Sequence, residues 1–272
     1  MTSRCHVRFV ILMKVIKMKK IVEGFKPLGG KHCVTTALRQ IFNYNNFNIT
    51  EEMLFGLGCG LSFVYLNLAS SPMISGRNKV FEFEQLLAQN LNIDIKCKSS
   101  TSYNNALKKA KQQINNNQPV LIYVDMAYLK YLNLNENSHF GGHAVVLFGY
   151  DDDNEHWYIS DRDNADYAIK TPKGPIASDY HLVSYNELEK ARSSKHRPFP
   201  AKNKYLKIDF TDFKGVTEGN IKAAIRSTCN NMLNAPAKLL GINGINKFSN
   251  EVLKLSKVSS DKLKLAGVST TF

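Results

Sequence analysis

A cysteine stands where a glycine-rich turn, residues 29–32, leads into a segment with helical spacing. Apolar residues that share one helical face predict a helix over residues 33–44: Val34, Ala37, Leu38 and Ile41. A helix begins with unpaired N–H groups and a partial positive charge, and both stabilise a thiolate. Cys33 is therefore a candidate nucleophile with a lowered pKa. The alternative is that Cys33 is a small buried apolar side chain at the start of the helix.

A thiol nucleophile needs a base, and the clearest hairpin in the chain offers one. Residues 143–150 form an apolar run, residues 151–154 a polar turn, and residues 155–161 an alternating strand. Pairing the strands about this turn places His143 opposite Asp161, to within about one residue, on the same face of the sheet. His143 is then the candidate general base, and Asp161 the acid that orients its imidazole. This order of cysteine, histidine and acid along the chain is the papain-like order.

Each of these assignments has a competitor in the sequence. His139 could act as the base, but it precedes the strand, so we expect it to line the entrance to the site. Asp163 could replace Asp161, because the register of the hairpin is open. His139, His143 and Cys33 could also bind zinc, but this histidine spacing suits a helix, whereas the two histidines flank a Phe-Gly-Gly loop. We expect no metal.

Further residues are predicted to contact the substrate. Asp125 follows a near-continuous apolar run, residues 120–124, that is typical of a strand buried on both faces. Tyrosines follow at positions 128 and 131, so this end of the strand could line a site, although Asp125 could equally cap the next turn. Alternating glycines within residues 56–60 let the backbone pass close to another segment or to a ligand. The candidate substrate-binding residues are His139, Asp125, Ser62, Tyr65 and Gly142.

Acyl chemistry at a thiol also needs hydrogen-bond donors for the oxyanion. The backbone N–H of Cys33 is a natural first donor. Papain-like peptidases often carry a glutamine a few residues before the cysteine, but residues 25–30 contain none, so the sequence does not identify the second donor. The neighbouring His32 is expected to point to another side of the helix or turn and to be structural.

The remaining pattern predicts an α+β chain with a large catalytic domain and a small helical module. Residues 1–18 are expected to be an N-terminal extension, residues 19–200 the catalytic domain, and residues 201–272 a strand followed by C-terminal helices. Further helices are predicted from Thr50, over residues 80–90 and 104–116, from Ser184, and from Thr217 onward. Further strands are predicted over residues 63–66, 93–97 and 204–210, with a turn at residues 76–78.

The composition bounds the class of protein. The chain has 272 residues, 43% of them hydrophobic, and can bury a full core. Its five cysteines form no CxxC pair, which favours a reducing compartment, and we expect a cytoplasmic protein. The net charge of +13 comes without a nucleic-acid-binding motif, so the expected partner is an acidic protein or an anionic small molecule. No apolar stretch approaches the ~20 residues of a membrane-spanning helix.

Several segments together resemble one known family, butirosin biosynthesis protein H and its relatives. The segments that carry the resemblance are GGKHCVTTAL (29–38), LFGLGCGLSFVYL (54–66), PVLIYVD (119–125), HFGGHAVVLFGYD (139–151) and SYNELEKAR (184–192). The tail, residues 224–256, resembles the helical domain that follows in many members. The resemblance covers residues 21–256.

The resemblance implies a papain-like cysteine fold, in which a helix bearing the cysteine packs on an antiparallel sheet, and an acyltransferase activity. In the namesake reaction an aminoacyl chain passes from an acyl carrier protein to an amine of an aminoglycoside. Carried over to this chain, Cys33 is the nucleophile, His143 the general base and Asp161 the orienting acid.

The resemblance also implies the reactants. The donor would be a thioester on 4′-phosphopantetheine or CoA, with no further cofactor, and the partners an acidic acyl carrier protein and a small-molecule amine. A cysteine peptidase or amide hydrolase, and a non-catalytic binding module on the same fold, are the alternatives. The oligomeric state is open, and a homo-oligomer is one of the outcomes we expect.

Overall fold

A computed structural model describes residues 18–67, 72–78, 81–197 and 199–253 of the chain. These ranges hold the helices α1 (Cys33–Tyr44), α2 (Glu51–Leu57), α3 (Glu82–Leu91), α4 (Tyr103–Asn115), α5 (Tyr185–Ser193), α6 (Glu218–Leu233) and α7 (Gly241–Glu251). They also hold the strands β1 (Lys19–Ile21), β2 (Leu61–Asn67), β3 (Pro72–Arg77), β4 (Asp94–Lys98), β5 (Val120–Val124), β6 (His143–Asp151), β7 (His156–Ser160), β8 (Ile169–Thr171), β9 (Gly174–Ile176), β10 (His181–Ser184) and β11 (Tyr205–Asp209). Two short 3₁₀ helices, Met126–Tyr128 and Lys130–Leu132, follow β5.

The core of the molecule is a seven-stranded sheet with the order β10-β7-β6-β5-β11-β4, in which β1 pairs with the far end of β6. The pairings are antiparallel. β5 and β6 lie at its centre, and every residue of both strands is buried. Two small hairpins, β2 with β3 and β8 with β9, lie outside this sheet.

Helices cover both faces of the sheet because the central strands are apolar on both. Along β5, Ile122 and Val124 join one core with α4 and α5, whereas Leu121 and Tyr123 join a second core with α1, α2 and α3. Alternate residues of a strand point to opposite faces, so a strand covered on both sides must be apolar throughout. This is why residues 120–124 show no polar alternation.

α1 occupies the residues predicted for it and packs its apolar face on β5 and β6. Val34, Leu38 and Phe42 are fully buried in this contact, and each such side chain contributes roughly 1.5–3 kcal/mol. The helix ends at asparagines, of which Asn46 adopts a left-handed conformation (φ 65°) that asparagine tolerates. The packing brings Cys33, the first residue of α1, to the end of the sheet where β6 begins.

The predicted helix starts at Thr50 and Ser184 are confirmed. Thr50 precedes α2 and its side chain accepts the Met53 N–H, while Ser184 precedes α5 and accepts the Glu187 N–H. A short polar side chain at this position satisfies an N–H group that the helix itself leaves unpaired.

The observed secondary structure differs from the prediction in two regions. The turn predicted at residues 76–78 is wrong for Gly76 and Arg77, which lie in β3, where Arg77 pairs with Leu61. Glycine weakens the strand signal, and a two-stranded hairpin gives little other periodicity. β8, β9 and β10 were not predicted, because strands of three or four residues are too short to show a period.

The C-terminal helices pack mainly on α2, α3 and β2. The strand grouped with them in the sequence, β11, lies inside the central sheet between β5 and β4. The division of the chain at residue 200 stays a prediction, and residues 1–17 of the expected extension lie outside the described residues. None of the helices in the described ranges has the length and apolar character needed to span a bilayer.

Candidate active site

A single buried carboxylate, that of Glu51 in α2, organises the backbone in front of Cys33. Its oxygens accept hydrogen bonds from the backbone N–H groups of Lys31 (3.0 Å) and His32 (2.7 Å). They also accept the hydroxyl hydrogens of Thr35 (2.9 Å) and Thr36 (3.0 Å). The turn that presents the cysteine is therefore held in place by a residue from a different helix.

The glycine-rich turn is required by this close approach. A Cβ atom on Gly30 would lie 2.6 Å from Oε2 of Glu51, so a side chain there would displace the carboxylate. His32 is the N-cap of α1, and its Nδ1 accepts the Thr35 N–H, which agrees with the structural role expected of it. The N–H of Cys33 has no acceptor among the described residues, so it is free to bind a reacting oxygen.

Positive charge surrounds this end of α1. Nη1 of Arg77 contacts Nε2 of His32, and Nη1 of Arg162 donates to the Lys31 carbonyl at 3.4 Å. Burial lowers the pKa of His32 to about 3, and the charges of both arginines act in the same direction, so His32 is neutral near pH 7. The charge of Arg77 also helps to lower the pKa of Cys33.

His143, the first residue of β6, lies beside the partly exposed Cys33 thiol and lowers its pKa, and the backbone N–H of Ala144 acts in the same direction. Burial alone would raise the pKa of the thiol, but His143, the Ala144 N–H and the charge of Arg77 together outweigh it, and the pKa is lowered from 9.0. Burial also opposes a charged His143, but the charge and hydrogen bond of Asp161, together with Cys33, outweigh it and raise the pKa from 6.5 to about 10. The two shifts act in the same direction, toward a thiolate–imidazolium pair.

The Asp161 carboxylate holds the other side of the imidazole. Nε2 of His143 lies 2.8 Å from Oδ2 of Asp161, and both side chains are buried. This arrangement leaves Nδ1 of His143 to face the thiol. Burial raises the pKa of Asp161, but the charge and hydrogen bond of His143, the Tyr131 hydroxyl and the charge of Arg162 together lower it by more, so the acid is ionised. The three residues singled out in the sequence lie together, with Asp161 hydrogen-bonded to His143 and His143 beside Cys33.

The hairpin register differs from the one predicted. The strands pair Val146 with Ser160, after a shift between Leu147 and Gly149, and β7 ends before Asp161. Extending this register places residue 163 opposite residue 143, so Asp161 meets His143 as a diagonal neighbour on the same face. Diagonal pairs lie within reach of long side chains, and the predicted contact therefore forms in spite of the shifted register.

Tyr131 extends this chain. Its hydroxyl donates to Oδ2 of Asp161 at 2.8 Å, and its ring stacks on His181 with centroids 3.8 Å apart. Burial and the charge of Asp161 raise the pKa of Tyr131 well above 10.0, so the hydroxyl stays a donor. Nε2 of His181 binds both oxygens of Asp163, at 2.9 and 3.0 Å. The alternative acid Asp163 thus pairs with His181 and not with the imidazole beside Cys33.

His139 and Asp125, two of the predicted substrate-binding residues, form a separate cluster. Oδ2 of Asp125 lies 3.0 Å from Nδ1 of His139 and accepts the Ser194 hydroxyl at 2.5 Å. The His139 ring stacks on His196 with centroids 3.4 Å apart. Asp125 also caps the next turn, since its Oδ1 accepts the Ala127 N–H at 3.3 Å. No set of three or more His, Cys, Asp or Glu side chains within the described ranges is arranged to hold a metal ion.

The other predicted contacts lie in different places. Tyr65 is fully buried on β2, and its hydroxyl donates to Oε2 of Glu251 in α7 at 3.2 Å. Ser62 lies on the same strand, and Gly142 lies in the buried turn directly before β6. Tyr65 therefore contacts the C-terminal helices, and Gly142 directly precedes His143. The substrate-binding roles of all five residues stay predictions.

Sequence reasoning missed two residues that support the site. Glu51 was visible only as an acid in the first turn of α2, a position where acids are common. Tyr131 was noted for its place after β5, but nothing in the sequence indicates that it meets Asp161. Both act through contacts between segments far apart in the chain, which spacing cannot show.

Two solved structures match part of the chain at low identity. A protein from Bacillus anthracis assigned as a C39-like peptidase is 16% identical, with a TM-score of 0.45 over 71% of this chain and 98% of that chain. A double glycine motif protease from an AMS/PCAT transporter, solved in complex with the leader peptide, is 14% identical, with a TM-score of 0.35 over 70% of this chain and 97% of that chain.

The family matches cover most of the described chain. Residues 32–162, which hold the cysteine, histidine and acid, match the family described as butirosin biosynthesis protein H, N-terminal. Residues 186–269 match a domain of unknown function, DUF4872. No curated protein matches the chain. With its cysteine-bearing helix packed on an antiparallel sheet in the papain-like manner, the chain belongs to the butirosin biosynthesis protein H family.

Proposed function

We propose that the chain is a cysteine-dependent acyltransferase that moves an acyl or aminoacyl group from a thioester to an amine through an acyl-Cys33 intermediate. The observation that carries the proposal is the placement of His143 between Cys33 and Asp161, in which the pKa of the thiol is lowered and that of the imidazole raised. The family is named for a biosynthetic protein, which supports transfer in synthesis over hydrolysis.

In the first step the Cys33 thiolate attacks the carbonyl carbon of the donor thioester. The free N–H of Cys33 stabilises the negative charge that develops on the carbonyl oxygen. The bond from carbon to the donor sulfur then breaks, and the His143 imidazolium gives its proton to the leaving thiolate. Exchange of one thioester for another changes little in bond energy, so orientation of the groups supplies much of the catalysis.

In the second step an amine attacks the acyl-Cys33 carbonyl, and the neutral His143 takes a proton from the amine nitrogen. The bond from carbon to the Cys33 sulfur breaks and the thiolate is released. It faces the imidazolium that this proton has created, so the ion pair of the resting site is restored. Asp161 stabilises the imidazolium in both steps through its contact with Nε2.

The charge of the chain supports an acidic donor partner. A net charge of +13 favours association with an acidic acyl carrier protein that presents the thioester on 4′-phosphopantetheine. A strongly cationic acceptor is less well suited to the same surface, so we propose only a small-molecule amine as acceptor.

The test is capture of the acyl-enzyme. The full chain is incubated with an acyl thioester of pantetheine, and its intact mass is followed. We expect a mass increase of one acyl group that maps to Cys33. Cys33→Ala should abolish the increase, whereas Cys229→Ser, which changes an exposed cysteine in α6, should leave it intact.

The fate of the adduct separates the proposal from its alternatives. Transfer predicts that added amines discharge the acyl group much faster than water does. Rapid discharge by water alone would identify a hydrolase with the same three residues. Absence of any adduct on Cys33 would favour a binding module.

A further inference from the structure

A cavity of about 690 Å³ lies between α4, β5, β11 and the C-terminal end of α1. Its volume falls within the ~300–1,000 Å³ range of small-molecule sites. Ile41 and Asn45 line it, whereas Cys33 begins the same helix. At ~1.5 Å per residue, the 12 residues of α1 separate its two ends by ~18 Å. The cavity is therefore distinct from the site at Cys33.

Within the described part of the chain, Arg192 of α5 lines this cavity as a buried cation without a counterion. The residue is 1% exposed, and its Nε and Nη1 atoms have no hydrogen-bond partner among the described residues. The groups that interact with its charge are the hydroxyls of Tyr103 and Tyr205 and not a carboxylate. Burial lowers the pKa of Arg192 to about 10, which still leaves the guanidinium charged at neutral pH. A buried charge of this kind is costly unless an anion pairs with it.

The rest of the lining has the chemistry that an organic anion requires. Exposed Lys109 and Lys207 add positive charge at the mouth, and none of the lining residues in the described part of the chain is acidic. Gln112 and Gln113 add amide donors, while β5 and β11 supply an apolar floor that includes Leu121 and Leu206. The cavity thus joins a cationic end to an apolar wall.

We propose that this cavity, the Arg192 pocket, binds a small organic anion whose carboxylate or phosphate group pairs with the Arg192 guanidinium and whose apolar part lies on β5 and β11. A planar guanidinium binds either group through two parallel hydrogen bonds. The lysines at the mouth attract the anion from solvent. The inference is independent of acyl transfer, because none of these residues belongs to the Cys33 site.

Calorimetric titration of the full chain with two probes tests the pocket. The probes are inorganic phosphate and hexanoate, each at an ionic strength matched with sodium chloride, so that the two arms distinguish a phosphate from a carboxylate ligand. We expect at least one probe to bind with one-to-one stoichiometry. Arg192→Gln should weaken that binding by about tenfold or more, because it removes charge-assisted hydrogen bonds.

Two further variants keep the test decisive if Arg192→Gln does not fold. The double variant Lys109→Gln/Lys207→Gln alters only exposed side chains at the mouth and should weaken binding severalfold. Lys170→Gln, which removes an exposed lysine of β8 outside the pocket, should bind as the unaltered chain does. The proposal is overturned if neither probe binds above the sodium chloride reference, or if the pocket variants bind as tightly as Lys170→Gln.

Discussion

Replacing Asp161 with asparagine should lower the reactivity of Cys33, although the two side chains are joined only through His143. Oδ2 of Asp161 lies 2.8 Å from Nε2 of His143, and its charge raises the pKa of that imidazole. Asparagine keeps the size but removes the charge, so burial should bring the pKa of His143 down. Cys33 then loses the imidazolium that lowers its own pKa, and the pKa of the thiol should rise.

The size of the effect follows from the contact distance. An opposite charge within ~4–6 Å shifts a pKa by ~1–3 units. At the low end of that range, the pKa of Cys33 rises by ~1 unit, which corresponds to ~1.4 kcal/mol. At pH values below the pKa, each unit by which the pKa of Cys33 rises lowers the thiolate fraction about tenfold. The difference should disappear above the pKa of the variant, where both thiols are ionised.

The rate of Cys33 alkylation by iodoacetamide, measured against pH and located by peptide mapping, reports this directly and needs no substrate. Asp163→Asn is the matched control, because Asp163 is equally buried and binds Nε2 of His181 at 2.9 Å. The midpoint of the alkylation profile should move up by about 1 unit or more only for Asp161→Asn. The reasoning is refuted if that midpoint stays in place, or if Asp163→Asn moves it equally.

Three smaller changes test the supporting contacts through the free energy of unfolding in urea. Tyr131→Phe removes the 2.8 Å hydrogen bond to Asp161 and should cost about 1.5–3 kcal/mol; no loss would contradict the role given to that contact. Glu51→Gln should cost roughly 2 kcal/mol or more, because the buried carboxylate that accepts hydrogen bonds from the nucleophile turn and from Thr35 and Thr36 loses its charge. The exposed neighbour Glu52, changed to Gln, should have little effect, and equal losses would contradict the argument. Gly30→Ala places a Cβ 2.6 Å from Oε2 of Glu51 and should cost roughly 1–3 kcal/mol; unchanged stability would show that the turn can yield.

The parts of the fold that could be predicted are those whose signal lies within one segment. α1 follows the predicted bounds because its apolar residues share one helical face, and β5 follows them because both of its faces are buried. The hairpin of β6 and β7 is defined by its own turn. β3 was missed at Gly76 and Arg77 because, among the described strands, it pairs with β2 alone, in a small sheet of two strands.

The candidate site was predictable to the same degree. The positions of Cys33 and His143 follow from a helix start and a strand start, and Asp161 follows from pairing the strands about a turn. The shift between Leu147 and Gly149 changed the register, but diagonal reach preserved the contact. Asp125 shows the limit of such reasoning. The sequence left open whether its side chain caps a turn or lines a site, and in the structure the carboxylate both accepts the Ala127 N–H and pairs with His139.

The amino-acid sequence by itself determined the chemistry-bearing residues, their order along the chain and the helix and strand that carry them, because these depend on local periodicity and on turns. The tertiary structure decided which groups face one another. It placed Glu51 under the nucleophile turn and Tyr131 on Asp161. It also placed Arg192, whose Nε and Nη1 have no hydrogen-bond partner in the described part of the chain, in a cavity at the far end of α1. Cys33 gains its lowered pKa from the same assembly, since burial alone would raise it and the neighbouring His143, Ala144 N–H and Arg77 reverse that effect.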